Sequence, residues 1–318
     1  MRVDSALKIW ILCTVSGYVL FIIGTIMPVL SIPLMLIYSC PALLLSHEQG
    51  LLRALSGGLI VSLALTLFLP PFFAVTCFLA FWLSGAFLGV LSRRIEERND
   101  LLIVGVTVCV VLKIAAAFVT WRLTGFNLLA PDAAEMERYI MALGSSSLRS
   151  LSGGDALKFK EMIVEMVNYA IMLTPYTMML FSAAEIVACL SLSSYIRARM
   201  GKGAFFSLPP FGSWSFPRNI LIAFVVGFLC NIVSEGSSSA HLLKQVGANL
   251  DAVTRSLFII QGLSVIYHIL GASEVPKFMR VALVALAPLI SPVGNICVIV
   301  GICDMGFDLR KKVGGKPR

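Results

Sequence analysis

Two residues of opposite charge sit deep in oily runs of this chain. Lys113 lies inside an apolar stretch at about 101–121, and Glu185 inside another at about 167–194. Each such charge costs on the order of 2.5–3.5 kcal/mol when placed in a bilayer, even on the mildest insertion scale, so each needs a partner or a purpose. The chemistry open to them is an ion pair, a proton site, or a ligand centre in which a carboxylate-bearing molecule replaces Glu185 beside Lys113. A pair that only fixes helix register is the alternative. Four further polar residues fall in or near late apolar runs: Asn231, Gln261, His268 and Asn295. Interhelical hydrogen bonding is the ordinary use of such amides. His268, beside Tyr267, reads as a polar tip at the membrane interface, with a proton relay as the sharper alternative.

The elements that must position these groups follow from composition. The chain has 318 residues, 58% hydrophobic and 13% charged. A soluble domain of this length needs more polar surface. Apolar stretches of near 20 residues recur, each long enough to cross a hydrocarbon core of about 30 Å. No short alternating segments of a barrel are present. The fold class is all-α: a polytopic helical membrane bundle of eight to ten crossings, read as a single integral membrane domain over 1–318.

Spans are expected at about 8–26, 28–45, 54–69, 72–91, 101–121, 167–194, 219–234 and 254–270. "SHEQGLLR" (46–53) reads as a polar hairpin, and "SEGSSSAHLLKQVGANLDAVTR" (234–255) as an outer loop. "GAFLG" (85–89) offers a small-residue face for close helix packing. Residues 122–163 break the pattern. Two amphipathic helices on the outer face are expected there, one around Met136–Leu143 and one from Phe159 through Met166, joined by the flexible "GSSSLRSLSGG" (144–154). A kink is expected at Thr174-Pro175.

Orientation follows from the cations. The net charge of +8 gathers in short clusters such as "SRRIEER" (92–98) and "YIRARMGK" (195–202) and in the tail. That is the signature of positive-inside topology rather than of nucleic-acid binding. A single helix over 281–303 would place the basic tail outside, so a break at Pro288 and "SPVG" (291–294) is expected to return a tail at about 305–318 to the cytoplasm. In that tail Asp304 and Asp308 are spaced to share a helical face, with Arg310 beyond; together with Trp214 they form a candidate docking site for a cytoplasmic partner.

Several chemistries are missing from the residues. The eight cysteines lie in or beside apolar runs with no C-x-x-C pair and read as small hydrophobes. The three histidines make no metal signature. "MGKGAFF" (200–206) lacks the spacing of a phosphate loop, and no hydrolase motif is present. The expectation is a non-enzyme with no cofactor and no metal.

Four stretches in order, "PALLLSHEQG" (41–50), "PPFGSWSFPRN" (209–219), "IIQGLSVIYHILGASEVPK" (259–277) and "GICDMGFDLRKK" (301–312), resemble the YybS-like family of predicted bacterial membrane proteins, whose function is unknown. That family in turn looks distantly like the substrate-binding S components of energy-coupling-factor transporters. The resemblance implies a bacterial cytoplasmic membrane location and a small-molecule ligand. It also implies a separate ATPase or coupling module as partner. A non-transporting scaffold or assembly factor for envelope proteins is the alternative.

Overall fold

The computed structural model describes residues 3–125, 127, 129, 153–235, 241–273, 275–287 and 290–310. Among them the regular structure is helical, with no strand. The expected helix around 136–143, its Ser/Gly joint as far as 152 and the tail beyond Arg310 lie outside the described residues. The chain divides into two compact units, Met1–Ser207 and Leu208–Arg318.

The first unit opens with α1 (Val3–Ile26), and the second expected span arrives in two pieces, α2 (Pro28–Met35) and α3 (Cys40–Gln49). The break at 36–39 has a local cause. Pro33 sits inside α2, and Pro41 occupies the first turn of α3, where a missing N–H costs nothing. The expected polar hairpin at 46–53 is instead helix almost throughout. α3 runs to Gln49, Gly50 turns with φ of 92°, and α4 (Leu51–Leu65) follows at once. Its polar side chains find partners on neighbouring elements: Gln49 Nε2 donates to the Ala6 carbonyl at 2.6 Å, and His47 Nδ1 lies 2.9 Å from Ser92 Oγ.

The fourth span is also irregular. α5 (Pro71–Cys77) passes into a π-helical turn (Phe78–Trp82) and then α6 (Leu83–Arg94). Trp82 is 1% exposed and donates its indole N–H to the Ala54 carbonyl at 2.7 Å. The small-residue face of "GAFLG" packs as expected: a methyl group added at Gly85 or Gly89 would strike the backbone carbonyl of Ser39 or Leu43. So α6 lies directly on the start of α3.

α7 (Arg98–Thr124) carries Lys113 on a buried face of Gly105, Cys109, Ala116, Ala117 and Thr120. Residues at this spacing share one helical face, and their small size leaves room for a long side chain. α8 (Gly153–Met172) and α9 (Thr174–Arg199) meet at Leu173, with Pro175 in the first turn of α9. The expected kink is therefore a full helix end, and the span begins at Thr174 rather than 167.

The second unit is built on α11 (His241–Ala272), which packs against α10 (Asn219–Glu235) and α13 (Ser291–Phe307). Glycines make both crossings close: Gly227 meets Leu250, and Gly262 and Gly301 meet the backbone of Cys297 and Phe258. The expected loop over 234–255 is helical from His241 onward. Gly247 fits against Asn231, and Arg255 closes an i,i+4 pair with Asp251 at 2.8 Å. A short helix, α12 (Lys277–Leu286), precedes α13, and the chain breaks between them at the expected place.

Among the described residues six helices are long and apolar enough to cross a membrane: Ser5–Ile26, Val29–Gln49, Pro71–Arg94, Arg98–Thr124, Thr174–Arg199 and His241–Ala272. Leu51–Leu65, Asn219–Ser234 and Pro292–Phe307 are apolar and shorter.

Candidate functional site: a buried ion pair at two backbone irregularities

Lys113 and Glu185, 72 residues apart, meet in the first unit. Lys113 Nζ lies 2.5 Å from Glu185 Oε2, with Glu185 at 0% and Lys113 at 9% exposure. Lys113 Nζ also sits over two aromatic faces, 5.7 Å from the ring centroids of Phe81 and of Phe181. Rings at that range attract a cation through their quadrupole.

The other carboxylate oxygen, Oε1, is met by the hydroxyl of Ser39, which also lies 2.8 Å from the Phe81 carbonyl oxygen. Ser39 is the residue immediately before α3, and Phe81 belongs to the π turn. The two places where the helical ladder is interrupted thus converge on one carboxylate. Irregular backbone at membrane depth is tolerated only where protein or cavity satisfies it. Here Leu36, in the break, has its carbonyl satisfied by the Cys189 thiol at 3.2 Å. A serine in this position ordinarily accepts a bond from its own helix. Ser39 makes no such cap and serves the centre instead.

From Glu185 a polar line follows α9 at steps of four residues: Glu185, Cys189, Ser193, Arg197. Each has a partner on the α2–α3 segment. Ser39 answers Glu185, the Leu36 carbonyl answers Cys189, Cys40 Sγ lies 3.1 Å from Ser193 Oγ, and Glu48 Oε1 accepts from Arg197 Nε at 2.8 Å. Twelve residues of helix span about 18 Å. Glu48 also holds Lys202, and His47 stacks on Phe205 with centroids 4.3 Å apart. Ser194 Oγ accepts the Phe205 and Phe206 N–H groups at 3.1 and 3.0 Å. The loop after α9 is held against the ends of α3 and α9 by this set.

The other expected site residues fall in the second unit. Gln261 Nε2 donates to Asp304 Oδ2 at 2.5 Å, and its Oε1 accepts the Phe216 N–H at 3.0 Å. Arg310 Nε lies 3.4 Å from the same Asp304 oxygen, while its terminal nitrogens donate to the carbonyls of Gly212, at 3.0 Å, and Trp214, at 2.5 Å. Ser264 Oγ donates to the Phe211 carbonyl at 2.6 Å. The structure thus brings Trp214, Asp304 and Arg310 together with Gln261 in one hydrogen-bonded set. Asp308 does not share a helical face with Asp304, because α13 ends at Phe307 and Asp308 takes a left-handed conformation with φ of 48°. Asn231 packs at Gly247, His268 packs at Gly212, and Asn295 is exposed on α13. None of the three joins Gln261.

All eight cysteines are free. Among the described residues no group of three or more histidine, cysteine or acidic side chains could hold a metal.

The fold and its buried ion pair define a multi-pass helical membrane protein. The chain belongs to the family described as predicted membrane protein, DUF2232, whose family model matches residues 17–305. It is also similar to the uncharacterized protein YybS of Bacillus subtilis (strain 168), 28% identical over 108 residues. That match covers 34% of this chain and 34% of the relative, so it spans about a third of each. No solved structure matches.

Proposed function

We propose that this protein is a transport-type component of the bacterial cytoplasmic membrane, with no catalytic activity of its own, whose ligand or coupling centre is the Lys113–Glu185 pair. One observation carries the reading: a broken helix and a π turn, two costly irregularities at membrane depth, are both spent on a single buried carboxylate. Discontinuous helices of this kind hold substrates and coupling ions in known transporters, and π turns gather at functional sites. The small molecule would carry a carboxylate able to replace Glu185 beside Lys113. Energy would come from a separate ATPase or coupling module, as the distant S-component likeness implies.

A second reading is supported by a different observation. The centre is closed in this structure: Glu185 is wholly buried, Lys113 is buried, and two aromatic rings lie over Lys113 Nζ. A solidly packed centre suits a scaffold or assembly factor for envelope proteins, in which the pair only locks helix register.

Native mass spectrometry of tagged protein gently extracted from its own membrane separates the two. The transport reading expects one stoichiometric small molecule, or ATPase and coupling subunits, with the small molecule lost from a folded Lys113→Met variant. Envelope-assembly proteins with no ligand would overturn it in favour of the scaffold.

A further inference from the structure

We infer that Glu185 is an exchangeable proton site, gated by the hydrogen-bond direction of Ser39. The inference deepens the transport reading and rests on it for its use, although the protonation chemistry itself stands on geometry alone.

The Ser39 hydroxyl carries one hydrogen and faces two acceptors, the Phe81 carbonyl oxygen at 2.8 Å and Glu185 Oε1. With Glu185 ionised, that hydrogen can serve only one of them. A proton from bulk water on Oε1 changes the count. The new O–H donates to Ser39 Oγ, the Ser39 hydroxyl turns to Phe81, and Oε2 still accepts from Lys113 Nζ at 2.5 Å. No covalent bond of the protein breaks, and the reverse step returns the proton. In the protonated arrangement the carboxyl O–H, the Ser39 hydroxyl and the Phe81 carbonyl all bond at once.

Protonation would leave the Lys113 cation with a neutral partner. The faces of Phe81 and Phe181 meet that need, since both rings sit over Nζ. The other titratable groups facing this centre are Cys109 of α7, Cys189 of α9 and, beside Cys189, Cys40 of α3. The Cys189 and Ser193–Cys40 positions continue the polar line from Glu185 toward Glu48. Ser39 opens α3 and Phe81 lies in the π turn, so a change of proton switches the bond that ties these two irregularities together.

The test is infrared difference spectroscopy of the full-length protein in lipid, titrated between about pH 4 and pH 10 to span the carboxyl and thiol ranges. The expected result is a carboxylic-acid carbonyl band that grows as pH falls and is missing from Glu185→Gln. In Ser39→Ala, which keeps the ion pair and covers the case of a misfolded Glu185→Gln, the pH at which the band appears should move by about one unit or more. A band that is absent, that does not change with pH, or that is unmoved in Ser39→Ala overturns the proton site. These readings need no transport assay. A missing band would leave the ligand reading standing, and a missing ligand would leave the proton site standing.

Discussion

Ser39 and Glu185 are 146 residues apart and share a hydrogen bond at full burial. One belongs to a break between helices and the other to the middle of a span. Prolines flank the break at 36–39, and the Ser39 hydroxyl at its end is spent on Glu185 rather than on capping α3.

Removing one partner of the pair should be costly. Lys113→Met leaves the Glu185 carboxylate buried beside Ser39 without its counter-charge, and a loss of about 3–5 kcal/mol is expected. The double variant Lys113→Met/Glu185→Leu should recover most of that loss, because a well-packed apolar pair needs no compensation. Thermal unfolding in detergent, read as a double-mutant cycle, checks both.

The α3–α6 contact depends on absent side chains. In Gly85→Val or Gly89→Val the new atoms meet the Ser39 or Leu43 carbonyl, main-chain groups at the start of α3 and within it rather than the far end of a flexible side chain. Overpacking of this kind costs about 1–3 kcal/mol. Gly50→Ala, where nothing lies near, should cost about 1–3 kcal/mol through backbone strain alone, because φ of 92° with ψ of 168° is open essentially to glycine. Midpoints of unfolding across the three variants check these losses.

Much of this architecture is legible in the sequence, and the limits have physical causes. Lys113 and Glu185 stand out because a charge in an apolar run is costly and needs a partner or a purpose. The helix end at Pro175 and the break before Ser291 follow from proline chemistry. Ser39-Cys40-Pro41 also carries a helix-start signal, a serine followed by a proline in the first turn, yet the unbroken hydrophobicity of 28–45 hides it. The π turn at 78–82 leaves no trace in composition. Cys40 and Cys189 read as small hydrophobes, and only three-dimensional contact shows them bonding Ser193 and the Leu36 carbonyl. Likewise 234–255 looks like a loop until Gly247 finds Asn231.

Ser194 should control the loop that follows α9. Ser194→Ala deprives the Phe205 and Phe206 N–H groups of their acceptor and should cost about 1–3 kcal/mol locally. Faster amide exchange at those two residues, with α3 unchanged, is the expected outcome of hydrogen–deuterium exchange.

In the second unit, Arg310→Gln should free the 209–216 loop. The guanidinium holds two of its carbonyls, at Gly212 and Trp214, and sits beside Asp304. Trp214 fluorescence should shift toward that of a more exposed indole, and a reagent for cysteine introduced at Ser213 should react faster than in the parent carrying the same cysteine.

The polar line along α9 predicts kinetics as well as structure. Ser193→Ala removes the hydroxyl beside Cys40 with little change of volume. After a pH jump the Glu185 infrared band should respond more slowly in this variant, with its midpoint unchanged.

The most direct measurement is the dipolar coupling between the Lys113 side-chain nitrogen and the Glu185 carboxyl carbon, by solid-state NMR of labelled protein in lipid. Direct contact, as the 2.5 Å N–O separation requires, gives a strong coupling that disappears in Lys113→Met. A coupling too weak for contact, with both groups reached by water, would contradict the buried centre on which every functional reading here depends.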